Sequence, residues 1–315
     1  MWAQTILGPY TCARIEVETP GDADVADGQV LLRVLAAGIC GSDLPMFRSG
    51  SKTPIAGYPL HEVAGEVVVS RDPTLPVGAR VVGWATAHNA AAEYAVVDGS
   101  GLLAYDETLK PVEAIVLQPL ACVVAAVREQ LPAVAGASAA VLGLGPIGML
   151  FAHVLKSSGA RSVTGVDRVD RSDLAAAFGL DGVVTMSGAR WVAGLGETGP
   201  RPEIVVEAVG HQVGTFDDAI RAVADRGRVL YYGIPDDAVY PLPMEVFLRK
   251  NATLSAGYTR DKRAALAAAA AYLDEHPDLA GSYVTQVRPM DDLQGAFELA
   301  DRPAKGQLKI VLVAE

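Results

Sequence analysis

The sequence predicts an α/β protein: a β-rich domain built from both ends of the chain, with a doubly wound parallel α/β domain inserted into it. Three observations carry this. Residues 1–110 hold β-branched runs separated by turn clusters. From residue 111, short apolar strands alternate with helical segments, the rhythm of a parallel sheet covered on both faces. The chain then closes on a strand-like run, LKIVLV (308–313), that can return to the first domain. The expected boundaries are 1–120 with 251–315 for the β-rich domain and 121–250 for the insert.

The strands expected in the first domain are QVLLRVLAAGIC (29–40), EVAGEVVVS (62–70), ARVVGWA (79–85) and AEYAVVD (92–98). Turn-rich segments at 20–28, 48–54 and 71–79 separate them. Residues 111–131 have a helical pattern. In the insert, AAVLGLG (139–145) reads as a strand and PIGMLFAHVLKSSG (146–159) as a helix. SVTGVD (162–167) is the next strand, DLAAAFGL (173–180) a helix and GVVTM (182–186) a strand. IVVEAVG (204–210) and RVLYYGI (228–234) are strands around the helix 216–225, whose first turn holds Asp217 and Asp218 where the macrodipole favours anions. Beyond ATLSAGY (252–258) come helices at 260–276 and 291–300.

At 315 residues the chain can fill two domains of roughly 150 residues each, with a core that needs no disulfide or metal for folding. Cys12, Cys40 and Cys122 cannot form a disulfide framework or a four-cysteine zinc site. The formal charge of −11, from 26 basic and 37 acidic residues, argues against nucleic-acid and anionic-membrane partners. Residues 131–155 lack charge, but Pro132, Gly136, Gly143, Gly145, Pro146 and Gly148 interrupt them, so they read as strand, turn and buried helix rather than a bilayer span. No basic segment precedes an apolar one at the N-terminus. The expectation is a cytoplasmic protein acting on a small molecule.

Gly143-Leu144-Gly145-Pro146-Ile147-Gly148 fits G-x-G-x-x-G between a strand and a helix, and Asp167 ends the next strand about 20 residues on. Gly143 permits the tight turn, Gly145 the approach of a pyrophosphate, and Gly148 close packing of helix on strand; the helix N-terminus offers amides to the phosphates. This is a Rossmann dinucleotide site. The Asp167 carboxylate would accept adenosine ribose hydroxyls and repel a 2′-phosphate, so NAD is expected ahead of NADP. Arg168 and Arg171 oppose that preference, since arginine can accommodate the phosphate.

Further motifs fall in order: GICGSD (38–43), HEVAGEVV (61–68), VGARV (77–81), AAEYAVV (91–97), LQPLACVVAAV (117–127), GLGPIG and KGQLKIVLV. Together they resemble the medium-chain dehydrogenase/reductase superfamily, the zinc-type alcohol and polyol dehydrogenases, over essentially the whole chain. The resemblance implies a GroES-like catalytic domain carrying a Rossmann insert, hydride transfer between nicotinamide and a carbinol carbon, and assembly as a homodimer or homotetramer. The resemblance is to a short form of that family. The four-cysteine structural-zinc lobe is missing, Leu60 replaces the glycine before the histidine, Gln118 replaces the glutamate of E-P-L, and Pro45 stands where a relay histidine often sits.

Cys40, His61 and Glu62 are a thiolate, an imidazole and a carboxylate, the donor set of one catalytic zinc with an open position. Only the fold can close the gap between Cys40 and His61; a lone cysteine is more often a small buried hydrophobe. The resemblance implies that Asp43 holds the His61 ring and that Ser42 carries the proton from the substrate. Gln118 removes a negative charge from beside the metal, and Cys122 lies one helical turn beyond it. Arg168 and Lys309 are further cofactor candidates beside Pro146 and Ile147 of the glycine loop. Met46, Phe47, Trp84 and Gln118 are candidates to line the substrate site, against the alternative that each is core. His88 and His211 could face the same site or be satisfied elsewhere.

The function expected is NAD-dependent oxidation of a secondary alcohol (a polyol, sugar or cyclitol) or the reverse reduction. The alternatives are a zinc-independent carbonyl or alkene reductase of the same fold and a catalytically silent nucleotide-binding protein.

Overall fold

The strand Gln29–Gly38 organises the first of two units in the computed structural model, which describes residues 1–51, 54–196 and 199–314. This unit comprises Met1–Ala121, Arg260–Pro303 and Gln307–Glu315. Leucine and valine dominate the strand, and it pairs antiparallel with Glu62–Ser70, Tyr94–Asp98 and the closing strand Lys309–Val313. The sheet runs Val284–Pro289, Lys309–Val313, Gln29–Gly38, Glu62–Ser70, Arg80–Trp84, Leu102–Ala104, with Tyr94–Asp98 beside the long strand. Register shifts at Leu31/Leu32 and Val34/Ala36 bend that strand, which lets it serve several neighbours. Leu32, Val34, Leu60, Val63, Phe297 and Leu312 fill the core beneath it. Arg263 ties the helix Lys262–Glu275 to this sheet through Asp72, Thr74 and the carbonyls of Gly99 and Leu102.

A hairpin of Trp2–Gly8 and Thr11–Glu16 was not expected, because Gln4 and Thr5 interrupt the apolar run. Both are buried with partners: Gln4 Nε2 donates to Asp291 O, and Thr5 Oγ1 accepts from Ile55 N. Lys52 and Thr53 of the turn segment 48–54 lie outside the described residues.

The second unit comprises Cys122–Thr259 and Ala304–Gly306. Its six strands are all parallel, in the order Gly182–Thr185, Ser162–Asp167, Ser138–Leu142, Ile204–Glu207, Arg228–Tyr231, Thr253–Ala256. The chain winds outward from Ser138–Leu142 in one direction, then returns past it in the other. That reversal creates the topological switch point where such sheets bind ligands. Ile204–Glu207 is buried at every position, as a strand covered on both faces should be.

Three expected elements differ. The helix expected over 111–131 is two helices, Pro111–Ala114 and Leu117–Gln130. Pro119 has no amide hydrogen, and its ring excludes the carbonyl four residues earlier, at Ile115, so the break falls there. An 18-residue window of 111–130 is apolar enough to span a membrane, but 67% of it is buried in protein. Residues 172–179 form turns where a helix is expected over 173–180, since so short a segment closing on Gly179 (φ 67°) hardly offsets helix nucleation. Thr253–Ala256, which the boundary at 250/251 assigns to the β-rich domain, is the edge strand of the parallel sheet.

Candidate functional site

Strand register brings the first site together. Gly38 pairs with Glu62 across the antiparallel ladder, so the chain leaving one strand at Cys40 meets the chain entering the other at His61. Glu62 also pairs with Trp84, and Ala85 N donates to His61 O (2.8 Å). Cys40 starts a tight turn, Gly41–Asp43, in which the Asp43 carboxylate accepts from Cys40 N (2.9 Å). The other Asp43 oxygen lies 3.0 Å from His61 Nδ1. Asp43 is 1% exposed, so its charge is shared between these two donors rather than with water.

One donor atom each from Cys40, His61 and Glu62 lies within 4.8 Å of the others. With Nδ1 facing Asp43, the imidazole presents Nε2 to the remaining donors. Burial opposes the imidazolium, but Asp43 and the contacting Cys40 hold the His61 pKa well above its usual value. A proton and a divalent cation compete for such a place. The donor chemistry therefore fits zinc: soft sulfur, imidazole and carboxylate converge, and the surroundings favour positive charge.

Glu62 has a second neighbour that sequence reasoning missed. Lys309 Nζ stands 2.5 Å from Glu62 Oε2, with both side chains 1% exposed, and donates to Ile39 O at 2.7 Å. The Glu62–Lys309 contact is an ion pair without hydrogen-bond alignment, since Oε2 receives no directed donor. A side chain at Gly38 would overlap Glu62 and crowd Ile115 and Lys309, so the glycine makes room for the pair. Lys309, a cofactor candidate in the sequence, thus holds its ammonium in a buried ion pair inside the first unit.

Phe47 is corrected. It is 0% exposed, stacked on Phe297 at 4.9 Å and edge-on to Tyr10, and is core. Met46 is half-buried against that core. Trp84 is half-buried, opposite Glu62, with Lys262 Nζ 6.0 Å from its ring centre. Gln118 is buried at the start of its helix, and Cys122 is the first residue of the second unit. Ser42 is half-buried on the Cys40 turn. Tyr58 also belongs to this region: burial and the Asp43 charge raise its pKa.

The second site lies in the parallel unit. The three glycines answer three different demands. Gly143 has φ +87°, open to glycine at least cost. Gly145 has nothing within 4 Å of where a Cβ would sit, leaving space above the turn. A Cβ at Gly148 would collide with the Gly143 carbonyl, so only glycine lets this helix approach the turn. Gly148→Ala is accordingly expected to displace the helix and to weaken dinucleotide binding at least tenfold, measured by NADH fluorescence titration. Pro146 opens the helix Pro146–Ser157 and no side chain caps it, so amides of its first turn, including that of Ile147, stay free for an anion.

Asp167 ends its strand here. One carboxylate oxygen accepts from Leu144 N (2.6 Å) and the other from Val169 N (2.7 Å), which ties the glycine turn to the neighbouring strand. Each oxygen keeps a lone pair for a ribose hydroxyl. Of the two arginines weighed against NAD, Arg171 is 3% exposed and donates to Ala304 O, while Arg168 is exposed. Lys305 is paired with Asp170 at 2.6 Å. Glu207 was not anticipated. It is fully buried, accepts from Val209 N and Gly210 N, and its pKa is raised by burial. His211, next in the chain, pairs with Asp236 at 2.5 Å.

Residues 26–109 match the alcohol dehydrogenase GroES-like domain, and residues 146–273 match the zinc-binding dehydrogenase family. D-altritol 5-dehydrogenase of Agrobacterium fabrum is 31% identical over 266 residues, 72% of this chain and 76% of that one. An alcohol dehydrogenase from E. coli CFT073, solved with NADH, superposes with a TM-score of 0.85 at 21% identity, over 99% of both chains. A zinc-binding dehydrogenase from Sinorhizobium meliloti 1021, solved with NADP, gives 0.76 at 21% identity, also over 99% of both.

Proposed function

The chain belongs to the zinc-binding alcohol dehydrogenase family, and from that premise we propose that it oxidises a secondary alcohol of the polyol, sugar or cyclitol class with NAD and a single zinc. The convergence of Cys40, His61 and Glu62, with Asp43 behind the imidazole, carries this reading. When bound, zinc supplies a Lewis acid for the substrate oxygen, and nicotinamide supplies the hydride acceptor. Asp43 fixes the His61 tautomer and ring plane. Ser42, on the Cys40 turn, takes the carbinol proton and passes it to water. Lys309 neutralises part of the Glu62 charge, which tempers how strongly that carboxylate can bind a cation. Met46, Trp84 and Gln118 are the proposed substrate contacts. Assembly as a homodimer or homotetramer and a cytoplasmic location belong to the same proposal.

NAD is preferred because Asp167 sits at the strand end and Arg171 and Lys305 are engaged elsewhere, while the exposed Arg168 alone of the two arginines opposes that preference. Asp167→Ala is expected to weaken NAD binding by roughly tenfold, the size of one lost charge-assisted hydrogen bond, and to narrow the NAD-to-NADP ratio of kcat/KM. An unaltered ratio would remove Asp167 from this role.

One observation favours a second reading. Glu62 already has a cationic partner and Gln118 is an amide, so the donor set can serve a metal-free reductase of carbonyls or alkenes. Metal analysis of protein purified without a metal-affinity tag separates the two. About one zinc per chain supports the first, and none after zinc supplementation supports the second.

A further inference from the structure

We propose that His88 binds substrate: its imidazole accepts a hydrogen bond from a second hydroxyl of the alcohol, adjacent to the carbon that reacts. This deepens the dehydrogenase reading and rests on it.

The strand Arg80–Trp84 delivers the chain to His61 through the bond from Ala85 N, and a tight turn closed by His88 N to Ala85 O (2.8 Å) then folds it back. His88 takes φ +55°, a left-handed conformation that a non-glycine residue keeps where its surroundings impose it. The effect is to lay the His88 ring beside the metal-binding donors. Its centre is 5.1 Å from that of His61, and an imidazole nitrogen lies within 4.8 Å of donor atoms of both His61 and Asp43.

The hydrogen-bond partner settles the ring's chemistry. His88 Nδ1 is 3.0 Å from Pro59 O. A carbonyl only accepts, so Nδ1 carries the hydrogen and the neutral ring keeps its lone pair at Nε2. The ring is half-buried, and among the described residues Nε2 has no hydrogen-bond partner. Nε2 is therefore a fixed acceptor on a ring that lies beside the metal-binding donors. The ligand that fits it brings an O–H donor next to the carbinol, as a vicinal diol does and a simple alcohol does not. Asp43, His61 and His88 also have the mutual spacing of a cation site. However, Asp43 and His61 Nδ1 already satisfy each other, and His88 Nδ1 is held by Pro59.

The test compares butane-2,3-diol with butan-2-ol, which share a carbon skeleton and differ by the second hydroxyl. His88→Phe keeps an aromatic ring and removes the acceptor. His88→Asn keeps an acceptor on a residue that tolerates positive φ. The expected result is that His88→Phe lowers the diol-to-alcohol ratio of kcat/KM by roughly tenfold. It should do so mainly through KM for the diol, with zinc content and thermal midpoint unchanged, and His88→Asn should recover part of the ratio. If phenylalanine is not accommodated, His88→Ala against His88→Asn carries the same comparison. An unchanged ratio, or equal losses on both alcohols, overturns the proposal while leaving the dehydrogenase reading intact. Loss of zinc in His88→Phe overturns it as well, assigning His88 to support of the metal. If the unaltered protein turns over neither these alcohols nor larger polyols, the dehydrogenase reading fails and the proposal falls with it.

Discussion

Cys40→Ala is expected to abolish zinc binding and to lower alcohol oxidation by a thousandfold or more, while leaving the fold and NADH binding intact. The size follows from what is lost. A Lewis acid contributes several kcal/mol to the transition state, and each 1.4 kcal/mol is a factor of ten in rate. The selectivity follows from position. Cys40 is half-buried on a turn just beyond the end of a strand, so alanine leaves no core cavity there. The dinucleotide residues Gly143–Gly148 and Asp167 lie in the other unit, whose parallel sheet has its own hydrophobic core. The checks are zinc stoichiometry by atomic emission, NADH fluorescence and turnover on a polyol panel. Full turnover by Cys40→Ala would exclude the zinc mechanism and favour the reductase.

Lys309→Met should destabilise the first unit by about 3–5 kcal/mol, the usual cost of leaving one buried charge without its partner. Glu62 would then be a carboxylate 1% exposed, with its neighbouring ammonium gone. The double variant Glu62→Gln with Lys309→Met should recover most of that loss, because both charges are removed together and the methionine fills the volume. Urea midpoints of the two single variants and the double one give the coupling directly. If Lys309→Met melts like the unaltered protein but binds NADH more weakly, Lys309 serves the cofactor after all. A bound zinc should moderate the penalty, since the Glu62 carboxylate would then have a second cation. The Lys309→Met melting curve should accordingly shift with added zinc more than that of the unaltered protein.

The glycine turn, its flanking strand and helix, and Asp167 were all readable in the sequence, because every constraint there is local. A positive φ at Gly143, a helix without a side-chain cap and a strand-ending carboxylate are properties of a few consecutive residues. The donor set Cys40, His61 and Glu62 was legible only as a pattern shared with a family; the spacing carried no proof, because the antiparallel pairing of Gly38 with Glu62 is what joins them. Phe47 was misassigned to substrate because a phenylalanine after the cysteine turn reads alike whether it packs inward on Phe297 or outward.

The sequence by itself determined the two-domain α/β class, the dinucleotide turn and the types of donor available for a metal, since periodicity, glycine placement and residue chemistry are written along the chain. Tertiary structure alone decided that Lys309 pairs with Glu62, that Arg171 turns inward to Ala304, and that His88 lies against His61. Each is a pairing between segments distant in sequence. Their partners are chosen by strand register and by the cost of burying charge, and neither is encoded in any short stretch of residues.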